Sequence, residues 1–179
     1  MTRTTITAVL TTATLSLTAC AGGSEHNDAD VNFAQDMIPH HAQAVEMSDL
    51  LLAKDGVDPD VADLAEQIKA SQGPEIETMS GWLEDWEEDV PSTDMDMGDM
   101  GQMDGMMSPD EMRELEDAAP ADASRLFLEQ MTEHHEGAIE MAGLEVEDGS
   151  SPEAIELAES IVESQQAEVE RMDDLLSDL

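Results

Sequence analysis

Basic residues are nearly missing from this chain of 179 residues, where six Lys and Arg stand against 44 Asp and Glu for a formal charge of −38. That excludes nucleic acid as a partner, because binding it needs basic surface to displace counterions. Charge-driven adsorption to an anionic membrane is disfavoured for the same reason. Aromatics are as scarce: two Phe, two Trp and no Tyr. The core must therefore be aliphatic and rich in methionine, of which there are 14, and such a core suits helices better than a β-sandwich. A single cysteine, Cys20, excludes an intramolecular disulfide. The length still allows one domain with a sizeable core. The acidity has two readings of equal weight, an adaptation to high salt that screens self-repulsion or an ordinary solvated surface. Disorder, which high net charge favours, is opposed by the regular Leu, Ile, Val and Ala spacing of the long segments.

The N-terminus reads as an export signal over residues 1–19. Arg3 supplies one positive charge, and Ile6 to Ala19 is charge-free, small-residue-rich and too short and Thr-rich for a membrane span. Leu17-Thr18-Ala19-Cys20 has the form of a bacterial lipobox, which implies cleavage before Cys20 and lipid on its thiol. An incidental cysteine after an ordinary signal peptide is the weaker alternative. This reading puts the protein at the outer face of the cell membrane, with residues 20–30 as a flexible tether.

A duplication follows. Phe33-Ala-Gln-Asp-Met-Ile-Pro-His-His-Ala-Gln-Ala-Val-Glu-Met47 repeats, in register and 94 positions later, as Phe127-Leu-Glu-Gln-Met-Thr-Glu-His-His-Glu-Gly-Ala-Ile-Glu-Met141. Pro59 through Leu64, Ile68, Gln72, Glu75 and Met79 likewise parallels Pro152 through Leu157, Ile161, Gln165, Glu168 and Met172. Each half reads as two helices. Asp58-Pro59 and Ser151-Pro152 are helix starts, and Asp55-Gly56 and Asp148-Gly149 are the stops before them. Pro39 is expected to kink or restart the first helix. Two such hairpins predict an all-α, ferritin-like four-helix bundle over residues 31–179, with repeat 1 at 31–88 and repeat 2 at 108–179. Residues 89–107 interleave Met, Asp and Gly and are expected to form a mobile linker. Ser108-Pro109-Asp110-Glu111 then opens a short extra helix through about Asp117.

Spacings of three, four and seven put Met37, His40, His41, Ala44 and Met47 on one helix face, and Met131, His134, His135, Ala138 and Met141 on its twin. Gln72 with Met79, and Gln165 with Met172, can face these stripes from the partner helices. Imidazole with thioether is a soft-leaning donor set that favours Cu(I), with Cu(II) also served by imidazole. Outside the cytosol thiols oxidise, so methionine is the soft donor that persists. Either stripe alone would be ordinary core, because methionine at helical spacing packs and a buried histidine usually finds a partner. Recurrence of the pairing in both halves favours metal. Met95, Met97, Met100, Met103, Met106 and Met107 in the linker form a second candidate, a flexible chain for weak copper capture, against the alternative of an acidic disordered linker.

These strings, together with Leu126-Phe-Leu-Glu-Gln-Met131 and the Met/Gly loop, resemble the DUF305 family of exported, ferritin-like helical proteins, some associated with copper binding and copper resistance. The resemblance covers residues 31–178. It implies Met37, His40, His41, Met47, Met131, His134, His135 and Met141 as metal ligands; Met79 and Met172, which can face the stripes, are additional candidates. Thr132-Glu133 departs from the family, which has apolar and basic or Pro residues there. The function expected is a non-enzymatic lipoprotein that sequesters or buffers copper, its partners being metal ions and, through Cys20, the membrane. No protein partner is identifiable. A metal-free structural or partner-binding lipoprotein is the first rival. A ferritin-like redox enzyme is the second, and it lacks the Glu-x-x-His motif that di-iron sites use.

Overall fold

A computed structural model describes residues 26–93 and 105–179. The proposed signal peptide, Cys20, tether residues 21–25 and Met95, Met97, Met100 and Met103 lie outside the described residues. Proline opens four of the five helices: α2 (Pro59–Asp85), α3 (Pro109–Asp117), α4 (Pro120–Asp148) and α5 (Pro152–Asp178). In a first turn the missing N–H costs nothing and the fixed φ already suits the helix. Asp58, Ser108 and Ser151 cap α2, α3 and α5 by accepting main-chain N–H groups, and Ser108 and Glu111 complete a reciprocal capping box.

Helix α1 (Asp28–Leu52) starts earlier than the sequence suggests. Asn27 accepts the N–H groups of Ala29 and Asp30, and the Asp30 carboxylate accepts the Asn27 N–H at 2.6 Å. Residues 28–30 are therefore the first turn of α1 and not tether. Their acidic charge sits at the positive end of the helix dipole. Pro39 does not restart the helix, because α1 continues through it as one element. Ile38, Pro39, His40 and His41 are all buried, so packing on two sides outweighs the roughly 3 kcal/mol that an interior proline costs.

The molecule is all-helical among the described residues, with four long helices and the short α3 in the central connection. α1 pairs with α2 and α4 with α5, and α1 against α4 is the main contact between the two hairpins. α1 and α4 run antiparallel. At one end the Asn27 amide donates to the Asp148 carbonyl at 2.8 Å, and at the other Met47 and Leu51 share a cluster with Ala123 and Phe127. An aliphatic, alanine-rich core divides into two clusters, one at each end of the α1–α4 contact. No described helix is long and apolar enough to cross a membrane.

The central connection is more ordered at its end than its composition suggests. The buried Gln43 amide donates to the Met107 carbonyl at 2.9 Å and accepts the Met107 N–H at 2.7 Å. Gly105 has φ +82°, and a Cβ there would sit 2.9 Å from the Gly137 Cα and 3.0 Å from the Glu133 and His134 carbonyl oxygens. Only glycine lets the chain pass this close to α4. Residues 105–107 are thus pinned between α1 and α4, which corrects the expectation of mobility through residue 107.

Candidate metal centre

All four predicted histidines are fully buried. They come from the two helices that form the middle of the bundle. His40 of α1 and His134 of α4 lie against each other, with ring centroids 3.7 Å apart and planes inclined by 40°. These two residues are equivalent in the repeat. When equivalent residues touch, the axis that exchanges the halves passes between them, so the two histidine pairs meet at this point.

His41 and His135 flank the pair and are each held from outside by a carboxylate. His41 Nε2 lies 2.7 Å from Glu75 Oε2 of α2, and His135 Nε2 lies 2.6 Å from Glu168 Oε2 of α5. An ionised carboxylate only accepts, so the proton resides on Nε2. The Nδ1 atoms of both rings are buried without a hydrogen-bond partner. A proton there would be an unmet buried donor, whereas a lone pair is ready for a metal. A carboxylate that fixes the tautomer and orientation of an imidazole in this way supports metal ligation. The sequence reading matched Glu75 with Glu168 across the repeats and gave them no role; their duplicated spacing from Gln and Met was the available signal.

Neither ring nitrogen of His134 has a partner of good hydrogen-bond geometry. Burial, with the neighbouring His40, His135 and His41, holds its pKa well below the ordinary 6.5, and only the His40 main chain opposes this. His134 is therefore a neutral imidazole at neutral pH, the form that ligates metals.

The methionines do not group as the stripes imply. Met37 and Met47 are ten residues apart, about 15 Å along a helix, and they enter different clusters. Met37 and Met79 pack with Ala138 and Ala142, with the partly buried Met141 against them. Met131 and Met172 pack with Met47 and Ala44, joined by Met107. The repeat maps one trio onto the other, so each thioether group takes two members from one half and one from the other. Their environments differ. Met47 is fully buried, whereas Met141 lines a surface cavity of about 190 Å³ with Phe33, Asp36 and Glu145. The Thr132 hydroxyl donates to the Met172 sulfur at 3.8 Å, which gives the Thr132 departure a contact. Met106 is partly exposed and Met107 is core.

Among the described residues no three His, Cys, Asp or Glu side chains are grouped to hold a metal. Donors outside that set, thioether sulfur first among them, would have to complete any site built on these histidines. Such a mixed set of neutral imidazole and buried thioether fits a soft monovalent ion better than a hard divalent one.

No curated protein sequence matches the chain. Solved structures do. A DUF305 protein from Streptomyces coelicolor, described as a candidate secreted protein, is 38% identical with a TM-score of 0.75, over 84% of this chain and 91% of that one. A DUF305 fragment from Deinococcus radiodurans is 30% identical with a TM-score of 0.77, over 86% and 98%. CopM is similar in its Cu(II)-bound form, 30% identical with a TM-score of 0.71, and in its Cu(I)-bound form with 0.68, both over 83% of this chain and 96% of that one. The family model described as a domain of unknown function, DUF305, matches residues 30–176, and the chain belongs to that family.

Proposed function

We propose that this protein is an extracytoplasmic copper-binding lipoprotein that sequesters or buffers copper without catalysing a reaction. The observation that carries this reading is the arrangement at the α1–α4 contact. His41 and His135 are each fixed by a glutamate, with Nδ1 left without a partner, and they flank the His40–His134 pair between two methionine clusters. A purely structural core would not leave so many buried ring nitrogens unmet, because each unmet group costs about 1–3 kcal/mol. The copper-bound forms of CopM, at 30% identity, support the same ion. Export and lipid attachment at Cys20 rest on the lipobox-like Leu17-Thr18-Ala19-Cys20, and export agrees with the description of the Streptomyces relative.

Anaerobic titration against a Cu(I) chelator tests the reading. The parent should compete strongly, and a His40→Ala, His41→Ala, His134→Ala, His135→Ala variant that remains helical by circular dichroism should not. Equal competition by both proteins would remove copper from the bundle. Cys20→Ala should move the protein from the membrane to the soluble fraction, and unchanged membrane partition would refute the anchor.

A further inference from the structure

Two buried amides lie on the same helices as the glutamates that hold His41 and His135. Gln72 of α2 and Gln165 of α5 are each 2% exposed and occupy equivalent places in the two repeats. Each lies three residues before the glutamate that holds a histidine and seven before a buried methionine. They therefore share the helix face that carries Glu75 and Met79, or Glu168 and Met172. Both amide atoms of Gln72 and the Oε1 of Gln165 lack a hydrogen-bond partner. Gln43 differs, using both amide atoms on Met107; Gln130 donates to the Glu111 carbonyl at 3.2 Å but also leaves its Oε1 without a partner.

A buried primary amide with nothing to bond gives up its hydration without return. Leucine or methionine would fill the same volume at no such cost. This sequence carries the costly choice at two repeat-equivalent positions, each one turn before the glutamate that holds a metal-ready histidine. An amide oxygen is a hard donor. It adds little to a Cu(I) ion, which thioether and imidazole satisfy, whereas Cu(II) takes nitrogen together with oxygen.

We propose that Gln72 and Gln165 are oxygen donors that let this centre hold oxidised copper as well as reduced copper. The proposal rests on the copper reading above. It divides the donors by oxidation state: the methionine clusters serve Cu(I), the glutamine oxygens serve Cu(II), and the imidazoles serve both.

The test is a Gln72→Leu/Gln165→Leu variant of the mature protein, with Gln72→Met/Gln165→Met beside it to keep an unbranched side chain and exchange oxygen for sulfur. Three quantities are read: Cu(II) affinity with its EPR spectrum, Cu(I) affinity by chelator competition, and the melting temperature without metal. Cu(II) affinity should fall about tenfold or more in both variants, with an altered EPR hyperfine coupling, while Cu(I) affinity stays within about twofold in the leucine variant and holds or rises in the methionine one. The metal-free variants should melt at or above the parent, since an unmet amide has been removed. Unchanged Cu(II) affinity and EPR would overturn the proposal. So would an equal loss of both ions, or a lower metal-free melting temperature, which would show the amides spent on the fold. A parent protein that binds neither ion would overturn the copper reading and this proposal with it.

Discussion

His40 and His134 meet with tilted rings, centroids 3.7 Å apart, across the axis that relates the two halves of the chain. Such a contact tolerates at most one positive charge, and burial already keeps His134 neutral by lowering its pKa well below 6.5. In the unfolded chain the same ring protonates below about pH 6.5. A base whose folded pKa is depressed therefore withdraws stability as pH falls through that value, because the unfolded state gains the proton first. The metal-free parent should lose more stability between pH 7 and 5 than His134→Gln, whose side chain does not titrate there. Parallel melting curves with equal pH slopes would contradict this.

Asp30 and Glu145 make an opposite pH signature at the end of the bundle. Glu145 is 1% exposed. Burial, then the neighbouring Asp30 carboxylate, pushes its pKa up to about 8. Asp30 resists its own burial through the adjacent Glu145 and through hydrogen bonds from the main chains of Asn27, Ser151 and Ser150, and its pKa is lowered. Glu145 thus keeps its proton at neutral pH when folded and loses it when unfolded. Stability contributed here is intact below pH 4.5, declines as pH rises and is exhausted near pH 8. Glu145→Gln puts a side chain beside Asp30 that stays neutral at every pH and should flatten that decline. Each tenfold change in proton affinity is worth about 1.4 kcal/mol, or roughly 3–5 °C for a domain of this size. A variant that melts below the parent at pH 8 would show that no proton is held there.

The glutamates behind His41 and His135 should tune metal affinity without carrying the fold. Both are near the surface, with side chains 19% exposed, so Glu75→Gln and Glu168→Gln should cost less than about 1 kcal/mol of stability. An amide can offer its NH2 to Nε2 and turn the imidazole to the other tautomer, placing the proton on Nδ1. Copper affinity should then fall about 10–100-fold for the pair of substitutions. Unaltered affinity by chelator competition would reduce these contacts to packing.

Much of this was legible in the residues, and the failures have identifiable causes. The helix pairs, α3 and the four histidines follow from three-and-four spacing, proline starts and the internal repeat, all of which are local or periodic signals. In sequence the first turn of α1 resembles tether, because Asn27 and Asp30 look like polar linker until their reciprocal cap is formed. Pro39 does not restart α1, because its local cost is set against the burial of residues 38–41. The methionine clusters could not be read from either stripe alone, since each depends on the antiparallel register of α1 and α4. Met107 looked like linker, and only its pairing with Gln43, 64 positions away, makes it core.

That pairing predicts an unusual sensitivity at the end of the linker. Gly105→Ala adds a Cβ at 2.9 Å from the Gly137 Cα and forces an L residue into φ +82°, which should cost about 1–3 kcal/mol. Gln43→Ala leaves the Met107 N–H and carbonyl unmet and should cost a similar amount. Thermal melts check both. If both variants melt as the parent does, residues 105–107 do not belong to the core.

Copper capture by the linker and by the bundle can now be separated cleanly. A deletion running to residue 107 would remove a core side chain and confuse stability with binding. Substituting Met95, Met97, Met100 and Met103 by Ser leaves the Gly105–Met107 attachment intact. Side chains on packed helices are positioned before binding, whereas a chain that must order itself around an ion spends conformational entropy. The linker also offers no imidazole at all. The four-serine variant should therefore keep tight Cu(I) binding and lose only weaker equivalents in an anaerobic titration. It should keep Cu(II) binding unchanged, since thioethers without nitrogen hold that ion poorly. The four-His variant should show the reverse, retaining weak Cu(I) uptake and no Cu(II). If tight binding instead follows the four linker methionines, the bundle is a scaffold, and the buried ring nitrogens of His41, His134 and His135 need another occupant.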